Sequence, residues 1–155
     1  MSTAACSPAS LELSLPSELG YEVIARDAVA AFARRLGVPA ERIEDLKTAL
    51  CEACVNAMEH GNSLDPGLRV QIFCRVEDER LVVEVLDQGV SRYTAAPAPL
   101  SIGEKVAGHG SARGMGLVLI SQLCDEAGFV TRSGPGNCFR FAFYRQPGHC
   151  SPGDR

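Results

Sequence analysis

The chain has 155 residues, is 46% hydrophobic and 22% charged, and so reads as one soluble domain able to bury about two-thirds of its unfolded surface. Its 15 basic and 19 acidic residues leave a formal net charge of −4, which argues against a broad basic surface: no nucleic acid and no membrane is expected as a partner. Any phosphate bound must be met by backbone amides, a few local Arg or Lys, or a metal.

Met1 to Ser10 is small and polar and reads as a flexible leader. Leu11 to Leu15 alternates as a short strand stopped by Pro16. Ser17 then has the chemistry to cap a helix running to about Leu36, with Leu19, Val23, Ala30 and Phe32 among its apolar positions and Gly37 just past its end. Pro39 suits the first turn of the next helix, which continues through Ile43 and Leu46 and ends at Gly61-Asn62. Asp65-Pro66-Gly67 is a turn. Leu68 to Val76 alternates as a half-buried strand, Glu77 to Arg80 is a hairpin turn, and Leu81 to Asp87 is the return strand. Asp87 has the parity of Leu81, Val83 and Val85, so its carboxylate points inward and needs a donor, from a backbone turn or from a ligand.

Gly89 to Ala112 has no usable periodicity and reads as an active-site lid at about 90–112 or as an insertion. Arg113-Gly114-Met115-Gly116-Leu117 leads into a helix predicted over Leu117 to Ala127 and closed by Gly128. Glycines there expose N–H groups and the positive dipole end, which suits an anion. Phe129 to Ser133, the turn Gly134-Pro135-Gly136-Asn137 and Cys138 to Arg145 form a closing hairpin with Phe139, Phe141 and Phe143 on one face. Gln146 to Arg155 is a flexible tail. Seven cysteines lie mostly in apolar runs, as reduced thiols do. Cys51 and Cys54 form a CxxC with no second pair and no His at ligand spacing, so neither zinc nor redox chemistry is expected. A start without basic residues or an apolar run predicts a cytoplasmic protein.

The informative stretch is Leu50 to His60. At 100° per residue, Glu52, Asn56, Glu59 and His60 fall in a sector roughly 100° wide. Ile43, Leu46, Leu50, Ala53 and Ala57 occupy another. No Lys or Arg stands between Lys47 and Arg69, which suggests a helix lining a pocket, although on pattern alone the stripe reads equally as an ordinary exposed one. The order β, α, α, β, β, lid, α, β, β gives an α+β fold: a two-layer sandwich whose mixed, mostly antiparallel sheet is covered by helices on one face. The other face must meet solvent or a partner.

Three pieces now line up: Glu52-x-x-x-Asn56-Ala57-x-x-His60, Asp87-x-Gly89 after a strand, and Gly114-x-Gly116-Leu117 at a helix start. Together they resemble the Bergerat-fold ATPases. The Ser-Leu-Pro-Ser-Glu opening and the Glu-Ala-x-x-Asn-Ala-x-x-His-Gly run are most similar to the bacterial anti-sigma-factor serine/threonine protein kinases, over Leu11 to Tyr144. The resemblance implies ATP and Mg²⁺ as cofactors, with Asn56 holding the metal and Glu52 as general base. It also implies that Asp87 accepts the adenine amino hydrogen, that Gly89 admits the base, and that the Gly114-Met115-Gly116-Leu117 run offers amides to the phosphates. Arg113 reads equally as a phosphate contact or an exposed lid residue, and His60 as structural. One departure stands out: Ser91 replaces the second glycine of the family's Asp-x-Gly-x-Gly box, which bears on how the lid closes and on retention of kinase activity.

The implied partners are a sigma factor and an anti-anti-sigma protein, and homodimers are common in the family. Two other readings compete: a non-catalytic, ATP-dependent binding module, and a switch kinase of a stress-signalling complex that does not bind sigma.

Overall fold

The computed structural model describes residues 8–90 and 112–145, the latter with side chains from Gly116 onward. Leader residues 1–7, lid residues 91–111 (Ser91 among them) and tail residues 146–155 lie outside the described residues, as do the side chains of Arg113 and Met115 and the surroundings of Gly114.

The elements follow the order β1 (Ser10–Pro16), α1 (Glu22–Arg35), α2 (Ala40–Asn56), a π-helical turn (Ala57–Gly61), β2 (Arg69–Glu77), β3 (Arg80–Leu86), α3 (Ala112–Leu123), β4 (Glu126–Val130) and β5 (Cys138–Tyr144). The sheet order is β1-β2-β3-β5-β4. Every neighbouring pair is antiparallel, so among the described residues the predicted parallel component of the sheet is missing. Three of the four pairings join strands adjacent in sequence. The exception sets β5 beside β3, with Leu86 opposite Cys138, and thereby brings the end of β3 against the β4–β5 turn.

Alternation decides which side each strand buries. Val70, Ile72 and Cys74 of β2, Leu81, Val83 and Val85 of β3, and Phe139, Phe141 and Phe143 of β5 meet the helices in one core. From α2 that core receives Ile43, Leu46, Leu50, Ala53 and, just beyond it, Ala57, as the predicted apolar sector requires. Each fully buried large side chain contributes roughly 1.5–3 kcal/mol. On the bare face, Glu84 (15% exposed) takes ion pairs from Arg75 and Arg140 on the flanking strands, over the buried Val82 and Ala142.

Local expectations fail where tertiary contacts outbid them. Ser17 does not cap α1: its Oγ donates to the Met58 carbonyl (3.3 Å), and Gly20 N–H is taken by Glu22 (2.5 Å), so the helix starts at Glu22. Leu19 and Val23 are exposed (53% and 38%), while Ala25, Val29, Ala30 and Ala33 face the core. Gly37 does take the left-handed φ of +82° past α1. The last helix is offset from its predicted span. It begins at Ala112 and ends at Leu123, and Gly128 is no cap but a β4 residue opposite Arg140. Arg42 explains the stop: it donates to the Leu123 carbonyl and to Asp125 and stacks 4.8 Å from the Phe143 ring centre. Asp125 N–H then bonds Ala142 O, and the sheet takes the chain.

Candidate nucleotide-binding site

The polar stripe lies where α2 ends. Glu52 and Asn56 sit one turn apart, both half-buried. Immediately after Asn56 the helix widens: Asn62 N–H bonds Ala57 O at 2.8 Å, an i→i−5 link. The 100° step therefore fails beyond Asn56. Glu59 and His60 belong to the widened turn and face each other at 3.8 Å. The stripe thus divides into a Glu52–Asn56 pair and a Glu59–His60 pair.

Helix α3 covers the first pair. A Cβ on Gly116 would stand 2.9 Å from Glu52 Oε2 and 3.5 Å from Asn56 Nδ2, so the two helices approach closely there and a larger residue would have to displace the Glu52 carboxylate. Gly116 is the fifth residue of α3, past the four N–H groups a helix start leaves unbonded. The close approach, and not a free amide, is what this position provides. Among the described residues Asn56 Nδ2 is buried without a hydrogen-bond partner, which leaves a donor in the site to be satisfied.

Asp87, 5% exposed, is the second polar centre. Its Oδ1 accepts from Gly89 N–H (3.1 Å) and Asn137 N–H (3.0 Å). The Asn137 side-chain amide donates to Oδ1 (3.3 Å) and Oδ2 (3.1 Å). The backbone turn thus supplies donors for an inward carboxylate. Gly89 is required by a close approach: a Cβ there would fall on the Gly61 carbonyl oxygen, and one on Gly61 would fall on the Asp87 carboxylate. Asn62 secures the arrangement by accepting Gln88 N–H (2.8 Å) and donating to Arg69 O (3.0 Å). Gly61 and Asn137 were not foreseen as site residues; in sequence they read as a helix end and a turn.

One cleft, with about 290 Å³ of atom-free space that includes open solvent at its mouth, joins the two centres. Its apolar walls are Ala53, Ala57, Val85, Leu117, Phe129 and Phe139, and its polar lining is Asn56, Asp87 and Asn137. That composition suits a flat, mostly apolar ring with a few polar edges. The thiols beside it are quiet: burial pushes Cys51 upward, and pushes Cys54 far above the ordinary thiol range. Among the described residues no group of three or more His, Cys, Asp or Glu side chains is set to hold a metal. Mg²⁺ does not need one, since it takes oxygen ligands and commonly relies on one or two protein groups plus substrate phosphates. Asn56 fits that donor set through its side-chain oxygen, while its buried Nδ2, with no partner among the described residues, is a donor suited to a phosphate oxygen.

Comparison with known proteins agrees with this geometry. Residues 15–143 match the histidine kinase-like ATPase domain family. The serine-protein kinase RsbW of Bacillus cereus (strain Q1) is 35% identical over 120 residues, covering 75% of this chain and 74% of the relative. Its counterpart in Bacillus anthracis (strain CDC 684 / NRRL 3495) is 33% identical over the same coverage. The crystal structure of the RsbU and RsbW domains of a Mycobacterium tuberculosis protein superposes with a TM-score of 0.62 at 18% identity. It covers 87% of this chain, which spans only 32% of that longer one, and at that identity it speaks for the fold alone. With its α+β Bergerat architecture and its RsbW relatives, the chain belongs to the histidine kinase-like ATPase family, on the branch of the RsbW serine-protein kinases.

Proposed function

We propose that this protein is an ATP-dependent serine/threonine kinase and anti-sigma factor, which binds a sigma factor and transfers the γ-phosphate of ATP to a Ser or Thr hydroxyl of an anti-anti-sigma protein. The observation that carries the reading is the Glu52–Asn56 pair under Gly116, with an orphaned amide on Asn56. Asn56 would hold Mg²⁺ and Asp87 the adenine amino group, with Gly89 beside it. The N-terminal part of α3, with Arg113, Gly114, Met115, Gly116 and Leu117, would stand next to the phosphates. Bound Mg²⁺ would neutralise charge on the triphosphate, which is most of what phosphoryl transfer asks of a site. Glu52 would accept the proton of the attacking hydroxyl as that oxygen bonds phosphorus and ADP leaves.

Residues 11–145 would form the kinase domain, with a lid at about 90–112. No described helix is long and apolar enough to cross a membrane. A cytoplasmic setting and a homodimer accord with the RsbW branch.

Transfer from γ-labelled ATP to a co-purified small partner tests the chemistry. Glu52→Ala should retain nucleotide affinity while lowering transfer by about 10²–10⁴-fold, the usual worth of a general base. Undiminished transfer in that variant removes Glu52 from the mechanism. A wild-type chain that binds ATP but transfers nothing is a nucleotide-dependent binding module. A kinase that captures an anti-anti-sigma protein but no sigma factor is a switch kinase.

A further inference from the structure

The two oxygens of Asp87 are not equivalent. Oδ1 accepts from Gly89 N–H, Asn137 N–H and the Asn137 side-chain amide at 3.1, 3.0 and 3.3 Å, which fills its acceptor capacity. Oδ2 accepts one bond among the described residues, from Asn137 Nδ2 at 3.1 Å. It lies against the Gly61 Cα, where a Cβ would overlap it. A single side-chain nitrogen therefore bridges both oxygens and sets the plane of the carboxylate. Asn137 is itself 8% exposed and is anchored by its own backbone, because Asp87 N–H returns a bond to its carbonyl at 3.0 Å. The preceding Gly136 takes a φ of +90° and passes so close to the Asp87 carbonyl that a Cβ would overlap it. The β4–β5 turn is built to deliver this one amide.

We infer that Asn137 is a specificity-determining positioning residue: by bridging Asp87 it leaves one Oδ2 lone pair aimed into the cleft, so that the site takes a purine carrying a 6-amino group and rejects a 6-oxo purine. The inference rests on Asp87 being the adenine acceptor. A 6-amino group supplies the hydrogen that this lone pair lacks. A 6-oxo group would set oxygen against oxygen in a buried place, the mismatch that polar sites penalise most.

The experiment measures the affinities of ADP and IDP, which differ at that purine position, together with thermal stability. The wild-type chain should prefer ADP by ~100-fold or more. Asn137→Ala retains both main-chain bonds to Asp87 and should cut the preference by about tenfold, mainly through weaker ADP binding. Asn137→Asp keeps the volume but turns the bridging donor into an acceptor, and should cut it further. Asp87→Asn separates the two claims. If it leaves the ADP preference intact, Asp87 is not the base acceptor and the role of Asn137 falls with it. If it abolishes the preference while both Asn137 variants retain it, with or without a loss of stability, Asn137 is structural only and the acceptor reading stands alone.

Discussion

The two polar centres of the cleft are finished to different degrees. Around Asp87, turn amides, the Asn137 side chain and the backbones of Gly61 and Gly89 leave little free, and the carboxylate is held from several elements at once. At Asn56 the amide nitrogen is buried with no partner among the described residues, and Glu52 beside it is only half-buried. A buried orphan is costly, on the order of 1–3 kcal/mol. Its presence where metal and phosphates would sit marks a region that a ligand completes, whereas the base end is prepared in advance. On the proposed assignment the base would be recognised at little ordering cost, and the affinity gained there would go to organising the phosphate end.

Substitutions at each centre can break this contrast. Gly89→Ala should have the largest effect. Its methyl would displace the Gly61 carbonyl, costing about 3 kcal/mol of stability in a denaturant titration and losing nucleotide binding with it. Asn56→Ala should do the reverse. Removing an unsatisfied donor leaves the melting temperature within a few degrees, while Mg-dependent nucleotide affinity drops by about 10- to 100-fold. Calorimetry with and without Mg²⁺ checks this. If Asn56→Ala proved as destabilising as Gly89→Ala, the amide would be structural and the contrast would fail.

The bare sheet face gives a smaller effect that should touch neither centre. Burial by itself pushes the Glu84 carboxyl upward, but hydrogen bonds from Arg75 and Arg140 outweigh it and hold the group below the usual carboxylate range. A group lowered by folding stabilises above its unfolded pKa, about 4.3 for Glu, and loses that contribution as pH falls through the lower folded value. Glu84→Gln should therefore cost about 1 kcal/mol at pH 7, with a penalty that shrinks toward zero below about pH 4 and nucleotide affinity unchanged. Melting curves across that range decide it. A penalty independent of pH would mean packing, not charge.

What sequence could and could not show follows from the range of the contacts. The Glu52–Asn56 pair was legible because helical periodicity is local, and the inward Asp87 because strand parity is too. Asn137 was not. Its meeting with Asp87 depends on β5 lying between β3 and β4, an order that no short-range pattern encodes. The end of α3 was misplaced for a related reason: Gly128 looks like a helix stop, but the contacts of Arg42 and Asp125 end the helix sooner. The π-helical turn also defeats periodicity, because an ideal wheel carries Glu59 and His60 onto the Glu52 stripe.

The helix that carries the chemistry also carries a clock. Cys54 lies on α2 between Glu52 and Asn56, fully buried, with a thiol that ionises only far above neutrality. A thiol reagent can reach it only when α2 parts from the sheet. The rate at which Cys54 is alkylated at fixed pH thus counts openings of this helix, and slowing by added nucleotide would report how far the bound ligand ties the site to the core.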